Sequence, residues 1–239
     1  MPYSQRTYAN GDYAYPCDSY INVLLSSYLV RTSLQKIADK YYAEETAKIA
    51  QNGNLVDENR YPRLNAIYET CIRKLGITER IPLYITSQLT GINALSIELH
   101  GKTMILISRQ AVAQLSEDEL LFVLGHELGH CQYGHMCCHT VLGMIADMNK
   151  VSEIFGSLVA DMIEVPLVKW FHCSEFTADR AGLICCGSKE VAQNIFLRLG
   201  LNNEVSAYEQ YRELSSPHPL LQTRWQMLEQ FAAQMNIKS

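Results

Sequence analysis

The stretch Gly125-His126-Glu127-Leu128-Gly129-His130 decides the fold, because it places two histidines four residues apart in a segment with helical character. Ser116 followed by Glu119 forms a capping box, which marks the start of a helix. The apolar residues that follow this cap predict a helix that is largely buried: Leu120, Leu121, Val123, Leu124 and Leu128. Residues four apart on a helix differ by about 40° in direction. Both imidazoles therefore face one point.

The H-E-x-x-H spacing predicts a metal site with a general base beside it. His126 and His130 can share one metal ion, and Glu127 is placed to reach a water molecule rather than the metal. Zinc is the ion that two histidines and a carboxylate prefer, and a catalytic zinc keeps one coordination position open for water. The alternative interpretation is a pair of buried histidines beside a chance glutamate.

A catalytic zinc needs a third protein ligand, and a later helix offers one. The scheme H-E-x-x-H-x-x-G-x-x-H fails, because Tyr133 and Met136 occupy the glycine and final histidine positions. Glu175 opens an E-x-x-x-D pattern that ends at Asp179, so both carboxylates share one helical face. Glu175 can bind the metal while Asp179 accepts the free N–H of a zinc-binding histidine. The alternative is a solvated acidic pair beside Arg180.

Composition favours one globular domain, or one domain with an extension. The chain has 239 residues, of which 48% are hydrophobic and 19% charged, with a net charge of -5. This charge does not favour a nucleic-acid partner. No run of apolar residues approaches the ~20 that a membrane-spanning helix needs, and the N-terminus lacks the basic start of a signal peptide.

The eight cysteines form no C-x-x-C pair, so the sequence predicts reduced, mostly buried thiols in a cytoplasmic protein. In a weaker alternative, the thiolate of Cys17 reaches the zinc and blocks it. His135 and His139 are four residues apart, but no further ligand has a suitable spacing. A role in packing or in supporting the metal ligands is therefore expected for them.

Hydrophobic periodicity predicts a mainly helical chain with one small sheet. The predicted strands lie just ahead of the histidine-bearing helix, at 82–86, 92–99 and 103–107, with His100-Gly101-Lys102 as a hairpin turn. The predicted helices cover 20–50, 62–75 and 109–115, two segments of 136–170 broken near Asn149 and Pro166, then 171–185, 189–199 and a C-terminal helix from Pro219.

The chain resembles the M48 family of zinc metallopeptidases, which includes the HtpX-type membrane proteases and the CAAX prenyl proteases. The resemblance rests on motifs in the family's order across residues 80–225: Gly91-Ile92-Asn93-Ala94, the H-E-x-x-H stretch, Glu175 to Asp179, and His218-Pro219 followed by Arg224. It implies an α+β, mainly helical, zincin-like (gluzincin) domain, with a three-stranded antiparallel or mixed sheet packed on the active-site helix. The chain departs from the family in lacking membrane helices between His130 and Glu175.

The resemblance also implies roles for residues outside the metal motif. His218 is expected to assist catalysis, with Arg224 supporting the ligands, and Tyr211 is a weaker candidate for the role of His218. Asn93 and Ala94 are expected to bind substrate.

The predicted activity is that of an endopeptidase with one zinc ion per chain and peptide or protein substrates. The alternative is a silent or autoinhibited zinc-bearing scaffold. Residues 61–239 form the predicted peptidase domain, and the tyrosine-rich residues 1–60 are a candidate cover for its cleft. The sequence does not specify an oligomeric state.

Overall fold

The computed structural model describes residues 13–17, 44, 47–48, 52–99, 102–135, 157–201, 206 and 219–237, with the backbone alone for 99 and 157–167. Its helices and strands in chain order are β1 (Asn54–Leu55), α1 (Pro62–Leu75), β2 (Leu83–Thr86), β3 (Ala94–Leu99), β4 (Lys102–Ser108), α2 (Arg109–Gln114), α3 (Glu117–Tyr133), α4 (Ser157–Cys186), α5 (Lys189–Arg198) and α6 (Leu221–Gln234). The described chain is mainly helical with one small sheet, as predicted. The predicted helix at 20–50 lies mostly outside the described residues.

The sheet has four strands in the order β1-β2-β4-β3, so the prediction of three strands was wrong. The additional strand, β1, is only two residues long, too short to show the alternation by which a strand is recognised in a sequence. β3 and β4 pair antiparallel, which agrees with the predicted hairpin, and β2 pairs with β4 in parallel. The sheet is therefore mixed, and β3 lies at its edge.

The central strand β4 holds the sheet against the helices. Ile105, Leu106 and Ile107 are fully buried although their side chains alternate between the two faces. Both faces of β4 are therefore covered, and α3 contacts both β3 and β4. This packing brings the histidine-bearing helix beside the edge strand.

The start of α3 follows its predicted cap. The Ser116 hydroxyl accepts from the Glu119 amide, and the Glu119 carboxylate accepts from the Ser116 amide, so the capping box of α3 is confirmed. Ser108 likewise accepts from the Ala111 amide at the start of α2. α1 ends at Gly76, whose left-handed φ of 67° makes glycine the fitting residue.

Two predicted helix boundaries were wrong. α4 continues through Pro166 without a break from residue 157 to residue 186, because a proline removes one backbone hydrogen bond and can leave the flanking turns intact. The C-terminal helix begins at Leu221 rather than at Pro219, with Leu220 as its extended N-cap residue. The predicted break near Asn149 lies outside the described residues, and no described helix combines the length and apolar character needed to cross a membrane.

A disulfide joins Cys17 to Cys173 on α4, with their Cα atoms 6.1 Å apart. The prediction that all eight cysteines are reduced was therefore wrong, as was the alternative in which Cys17 reaches the metal. The two cysteines are 156 residues apart in sequence and share no motif that indicates a pairing. Cys71 and Cys185 are free and buried, as expected.

Residues 13–17, here called the N-terminal strap, lie against the helical layer. Tyr13 is 1% exposed, and its hydroxyl donates to Gln132 Oε1 at 2.5 Å. Arg180 Nη1 donates to the carbonyl oxygens of Tyr13 at 3.3 Å and Ala14 at 3.0 Å. The strap therefore connects the C-terminal end of α3 with α4.

Candidate metal centre

Helix α3 carries His126, Glu127 and His130 on the side that faces the protein interior. His130 is fully buried, Glu127 is 6% exposed, and the His126 side chain is 14% exposed. The helix can bury these polar groups because most of its other inward residues are apolar or glycine, and Leu124 and Leu128 are fully buried. His126 is thus the most accessible of the three.

Glycines let α3 and α4 approach closely. A Cβ atom on Gly125 would lie 2.6 Å from the Cβ of Cys185, and one on Gly129 would lie 2.7 Å from the Cβ of Ala181. On the opposing helix, a Cβ on Gly182 would lie 2.8 Å from a carbonyl oxygen of α3. No larger residue fits at these positions without a shift of one helix. The close crossing brings the acidic residues of α4 beside the histidines of α3.

His126, His130 and Glu175 meet at the crossing. The two histidine Nε2 atoms are 3.1 Å apart. Glu175 Oε1 lies 3.6 Å from His130 Nε2, and Glu175 Oε2 lies 3.8 Å from His126 Nε2. Ligand atoms at ~2.0–2.2 Å from a tetrahedral zinc are ~3.3–3.6 Å apart. The donor set and its spacing therefore fit a metal ion, and no other group of this kind occurs among the described residues.

Arg224 of α6 connects the two carboxylates of α4. Its Nη1 lies 2.8 Å from Glu175 Oε2, while Nε and Nη2 donate to the two oxygens of Asp179 at 2.8 and 2.6 Å. Asp179 Oδ1 is also 3.0 Å from Nδ1 of His126. The structure thus brings Asp179 and Arg224, the two predicted supporting residues, into contact with the His126 ring and with Glu175.

The charges of this network offset the cost of burying it. Burial alone raises the pKa of Asp179, but the Arg224 guanidinium and His126 outweigh that effect and hold the pKa below its usual range. Burial lowers the pKa of Arg224, but the carboxylates of Asp179 and Glu175 raise it by more than burial lowers it. The pKa of Arg224 is therefore above its usual range. Asp179 is therefore ionised and can accept a hydrogen bond from the His126 ring.

The surroundings of Glu127 suit a carboxyl group that accepts and donates a proton. Burial raises the pKa of its carboxyl group, and the neighbouring His126 and Ser96 offset only part of the increase. Its Oε2 atom is buried and makes no hydrogen bond within the described part of the chain. A carboxylate in this state can take a proton from a molecule that enters the site.

A cleft of about 340 Å³ opens beside Glu127 and His126. Asn93 and Ala94, the predicted substrate-binding residues, line it together with Arg224. The rest of its lining is mostly apolar and comes from α3, from α5 and from residues next to β3 and α5: Ile92, Phe122, Val123, Ile195, Arg198 and Leu199.

Some backbone N–H and C=O groups of the edge strand β3 point away from its partner strand β4. The Ser108 amide donates to the Asn93 carbonyl at 2.9 Å, and Ala94 lies opposite Ile107. Because antiparallel pairs alternate, the N–H and C=O groups of Ala94 and Ser96 point away from β4. Within the described residues, this edge carries no further strand.

His218 and Tyr211, the two predicted catalytic candidates near the C-terminus, lie outside the described residues. The sequence reasoning missed the importance of Gly125 and Gly129. Their G-x-x-x-G spacing was available as a signal of close helix packing, since small residues four apart form a flat helical face.

Comparison with known proteins supports the resemblance. The sequence profile "Peptidase family M48" matches residues 58–232. The plastoglobule-localized metallopeptidase 48 of Arabidopsis thaliana is 27% identical over 146 residues, 61% of this chain and 42% of that protein. A protease HtpX homolog of Halobacterium salinarum is 23% identical over 180 residues, 67% of this chain and 61% of that protein. The chain thus spans between two fifths and three fifths of the length of these two relatives.

A solved structure has a similar fold. The crystal structure of S. mikatae Ste24p aligns with a TM-score of 0.51 and 14% sequence identity, covering 89% of this chain and 58% of that one. At this identity the likeness concerns the fold alone. The profile match, however, extends over most of the chain and includes both motifs that form the metal centre. The chain belongs to peptidase family M48.

Proposed function

We propose that the protein is a zinc-dependent endopeptidase with a zincin-like catalytic domain. The observation that carries this proposal is the meeting of His126, His130 and Glu175 at one point, with the partly unpaired carboxylate of Glu127 beside them. A site that only stabilises the fold needs no general base and usually has four protein ligands.

His126, His130 and Glu175 are the proposed ligands of one zinc ion per chain. When bound, zinc supplies Lewis acidity, which makes water more acidic and polarises a peptide carbonyl group. Asp179 orients the His126 ring through its Nδ1 atom, and Arg224 orients Glu175 through Oε2. Both contacts leave the remaining ligand atoms directed at the common point.

Glu127 is the proposed general base and acid. Its carboxylate accepts a proton from the attacking water and later gives that proton to the leaving amine. The raised pKa favours this exchange, because the protonated form is less costly in a buried site. His218 remains the predicted partner for the charge that develops on the carbonyl oxygen.

The edge of β3 is the proposed guide for the substrate backbone. The outward amide and carbonyl groups of Ala94 can pair with an extended peptide, which fixes its register without reading side chains. The apolar cleft lining at Phe122, Val123 and Ile195 can then accept an apolar side chain of the peptide next to the scissile bond.

The test is metal analysis of the purified protein together with cleavage of casein and a peptide library. We expect about one zinc per chain, and cleavage that stops when a chelator removes the zinc and returns when zinc is added. Bound zinc without cleavage would favour the zinc-bearing scaffold instead. Cleavage that a chelator leaves unchanged would contradict the proposed mechanism.

A cytoplasmic location was predicted from the expectation of reduced cysteines. The disulfide between Cys17 and Cys173 removes that argument, because disulfides are rare in the cytosol. The location is best tested by trapping the thiols in intact cells with a labelling reagent. A Cys17–Cys173 bond that is absent in the cell would support the cytoplasmic prediction.

A further inference from the structure

His135 lies directly after α3, in a turn that folds it back over the helix end. Gly134 has a left-handed φ of 69°, and the amide of His135 donates to the carbonyl oxygen of His130 at 2.9 Å. This is the usual way in which a glycine terminates a helix. It returns the side chain of His135 to the level of His130, and both rings are fully buried.

The two nitrogens of the His130 ring have different neighbours. Nε2 faces the metal-binding group, 3.1 Å from His126 Nε2 and 3.6 Å from Glu175 Oε1. Nδ1 lies 3.1 Å from Nδ1 of His135, which is a hydrogen-bond distance. One of these two Nδ1 atoms must donate and the other accept, so the contact is tied to the tautomer of each ring.

Aromatic rings hold His135 in this orientation. Tyr133 stacks on it, with ring centroids 5.8 Å apart and planes 21° apart. Trp170 of α4 meets it edge-on at 5.9 Å, and Tyr13 of the N-terminal strap packs edge-on against Tyr133 at 5.2 Å. The His135 ring therefore cannot turn away from His130 without disturbing packed neighbours.

We propose that Nδ1 of His135 accepts the Nδ1–H of His130 and thereby keeps the lone pair of His130 Nε2 free for the ion. His135 is a positioning residue in this proposal, which rests on the metal centre proposed above. His135 then carries its own proton on Nε2. Metal-binding histidines commonly need such an acceptor for their second nitrogen.

The two histidine ligands differ in this respect. His126 has a charged acceptor, the Asp179 carboxylate, which is itself held by Arg224. His130 has a neutral acceptor, the His135 imidazole. A neutral partner fixes the ring without adding a negative charge behind it, so only His126 of these two ligands has a carboxylate at its Nδ1 atom.

The first test uses the unaltered protein, loaded with zinc and labelled with ¹⁵N in its histidines. An N–H···N hydrogen bond transmits a scalar coupling between its two nitrogen nuclei. We expect a coupling between the Nδ1 nuclei of His130 and His135, with the proton on His130. A proton on Nε2 of His130, or a hydrogen bond from His130 Nδ1 to a different acceptor, would overturn the proposal.

The second test compares two substitutions by zinc affinity, measured in competition with a chelating dye. His135→Phe fills the space but removes the acceptor, and it should weaken zinc binding by ~10–100-fold. His135→Asn keeps an acceptor oxygen near the position of Nδ1 and should recover most of that loss. The d–d absorption spectrum of the cobalt-loaded protein should follow the same order, because it reports the ligand geometry.

The outcomes separate this proposal from the proposed function. If the unaltered protein binds zinc and His135→Phe binds it equally well, His135 has no positioning role, and the metal centre stands. If His135→Asn is as weak as His135→Phe, the hydrogen bond is not the cause. If the unaltered protein binds no zinc, both proposals fail. The coupling measurement decides the question even if His135→Phe does not fold.

Discussion

At the scale of single residues, the position of Glu127 separates two roles that a carboxylate can have near a metal. Glu175 faces both histidine Nε2 atoms and is held by Arg224, as a ligand requires. Glu127 lies beside His126 along the cleft, and its Oε2 atom is buried with no hydrogen bond in the described part of the chain. Removing each carboxylate should therefore have a different effect.

Glu127→Gln should keep zinc and lose nearly all peptide hydrolysis. The amide has the shape of the carboxylate but cannot accept the proton, while the three ligands remain in place. Zinc content by metal analysis and turnover of a peptide substrate would be measured on the same sample. Turnover close to that of the unaltered protein would contradict the role of Glu127 as general base.

Glu175→Ala should lose most zinc binding, whereas Asp179→Ala should weaken it by ~10–100-fold, because Asp179 acts only through His126 and Arg224. Competition with a chelator measures the zinc affinity of both variants. Glu190 on α5 provides a control, because its carboxylate is exposed. Its replacement by alanine should leave zinc binding unchanged. Normal zinc binding by Glu175→Ala would mean that the third ligand lies elsewhere.

The spacing of the metal motifs was readable in the sequence because helical geometry is regular. A separation of four residues is enough to place His126 with His130 and Glu175 with Asp179 on common faces. The contact between His130 and His135 was not readable, since it depends on the left-handed turn at Gly134. The salt bridges of Arg224 depend on how α6 packs against α4, which no local pattern specifies.

At the scale of elements, the crossing of α3 and α4 decides whether the ligands meet. Gly125 and Gly129 on α3 face Cys185 and Ala181 on α4 with no room for an added methyl group. The distance between the two helix axes is therefore set by small residues. A change in this distance moves Glu175 relative to both histidines.

Gly129→Ala should destabilise the protein, although alanine is normally the better helix residue by roughly 0.5–1 kcal/mol. The new Cβ would lie 2.7 Å from the Cβ of Ala181, and such overpacking typically costs about 1–3 kcal/mol. The affinity of this variant for zinc should fall together with its stability. The free energy of unfolding in urea provides the measurement, and an increase in stability would show that the helices do not touch here.

Ala94→Pro should leave the fold and zinc binding intact while abolishing cleavage of long peptides. The amide that proline removes points away from β4, toward the proposed substrate strand. Leu95→Pro is the matched control, because its amide faces β4 and its loss should destabilise the sheet. Thermal unfolding and casein cleavage would be compared. Normal cleavage by a folded Ala94→Pro variant would exclude backbone pairing at this residue.

The start of α3 was predictable because its cap at Ser116 is local. The four-stranded sheet was not fully predictable, because β1 is recognisable only through its pairing with β2. The course of α4 through Pro166 shows the same limit, since a proline lowers the helix preference without deciding it.

At the scale of the whole molecule, contacts between distant parts of the chain hold the N-terminal strap against α4. The backbone amide of Tyr15 donates to Thr177 Oγ1 on α4, and Arg180 lies over the Tyr15 ring. Cys17 then fixes the strap to Cys173, two residues before Glu175. None of these contacts follows a sequence motif, because each joins parts of the chain that are more than 150 residues apart.

Cys17→Ser should lower the free energy of unfolding by about 2–4 kcal/mol, because the disulfide limits the freedom of the unfolded chain. The unaltered protein should lose the same amount in a reducing agent, whereas the variant should not respond to it. Unfolding curves with and without reductant measure both effects. Equal stability of the two proteins without reductant would mean that the bond does not form in solution.

The disulfide between Cys17 and Cys173 also changes how a cleaved chain migrates in electrophoresis. Cys17 and Cys173 enclose the whole sheet, α1, α2 and α3 within one covalent loop. A single backbone cut inside that loop leaves two fragments that still migrate together in electrophoresis without a reducing agent. Only after reduction do they separate into two bands. A sample with such a cut therefore passes as intact unless the gel is run under reducing conditions.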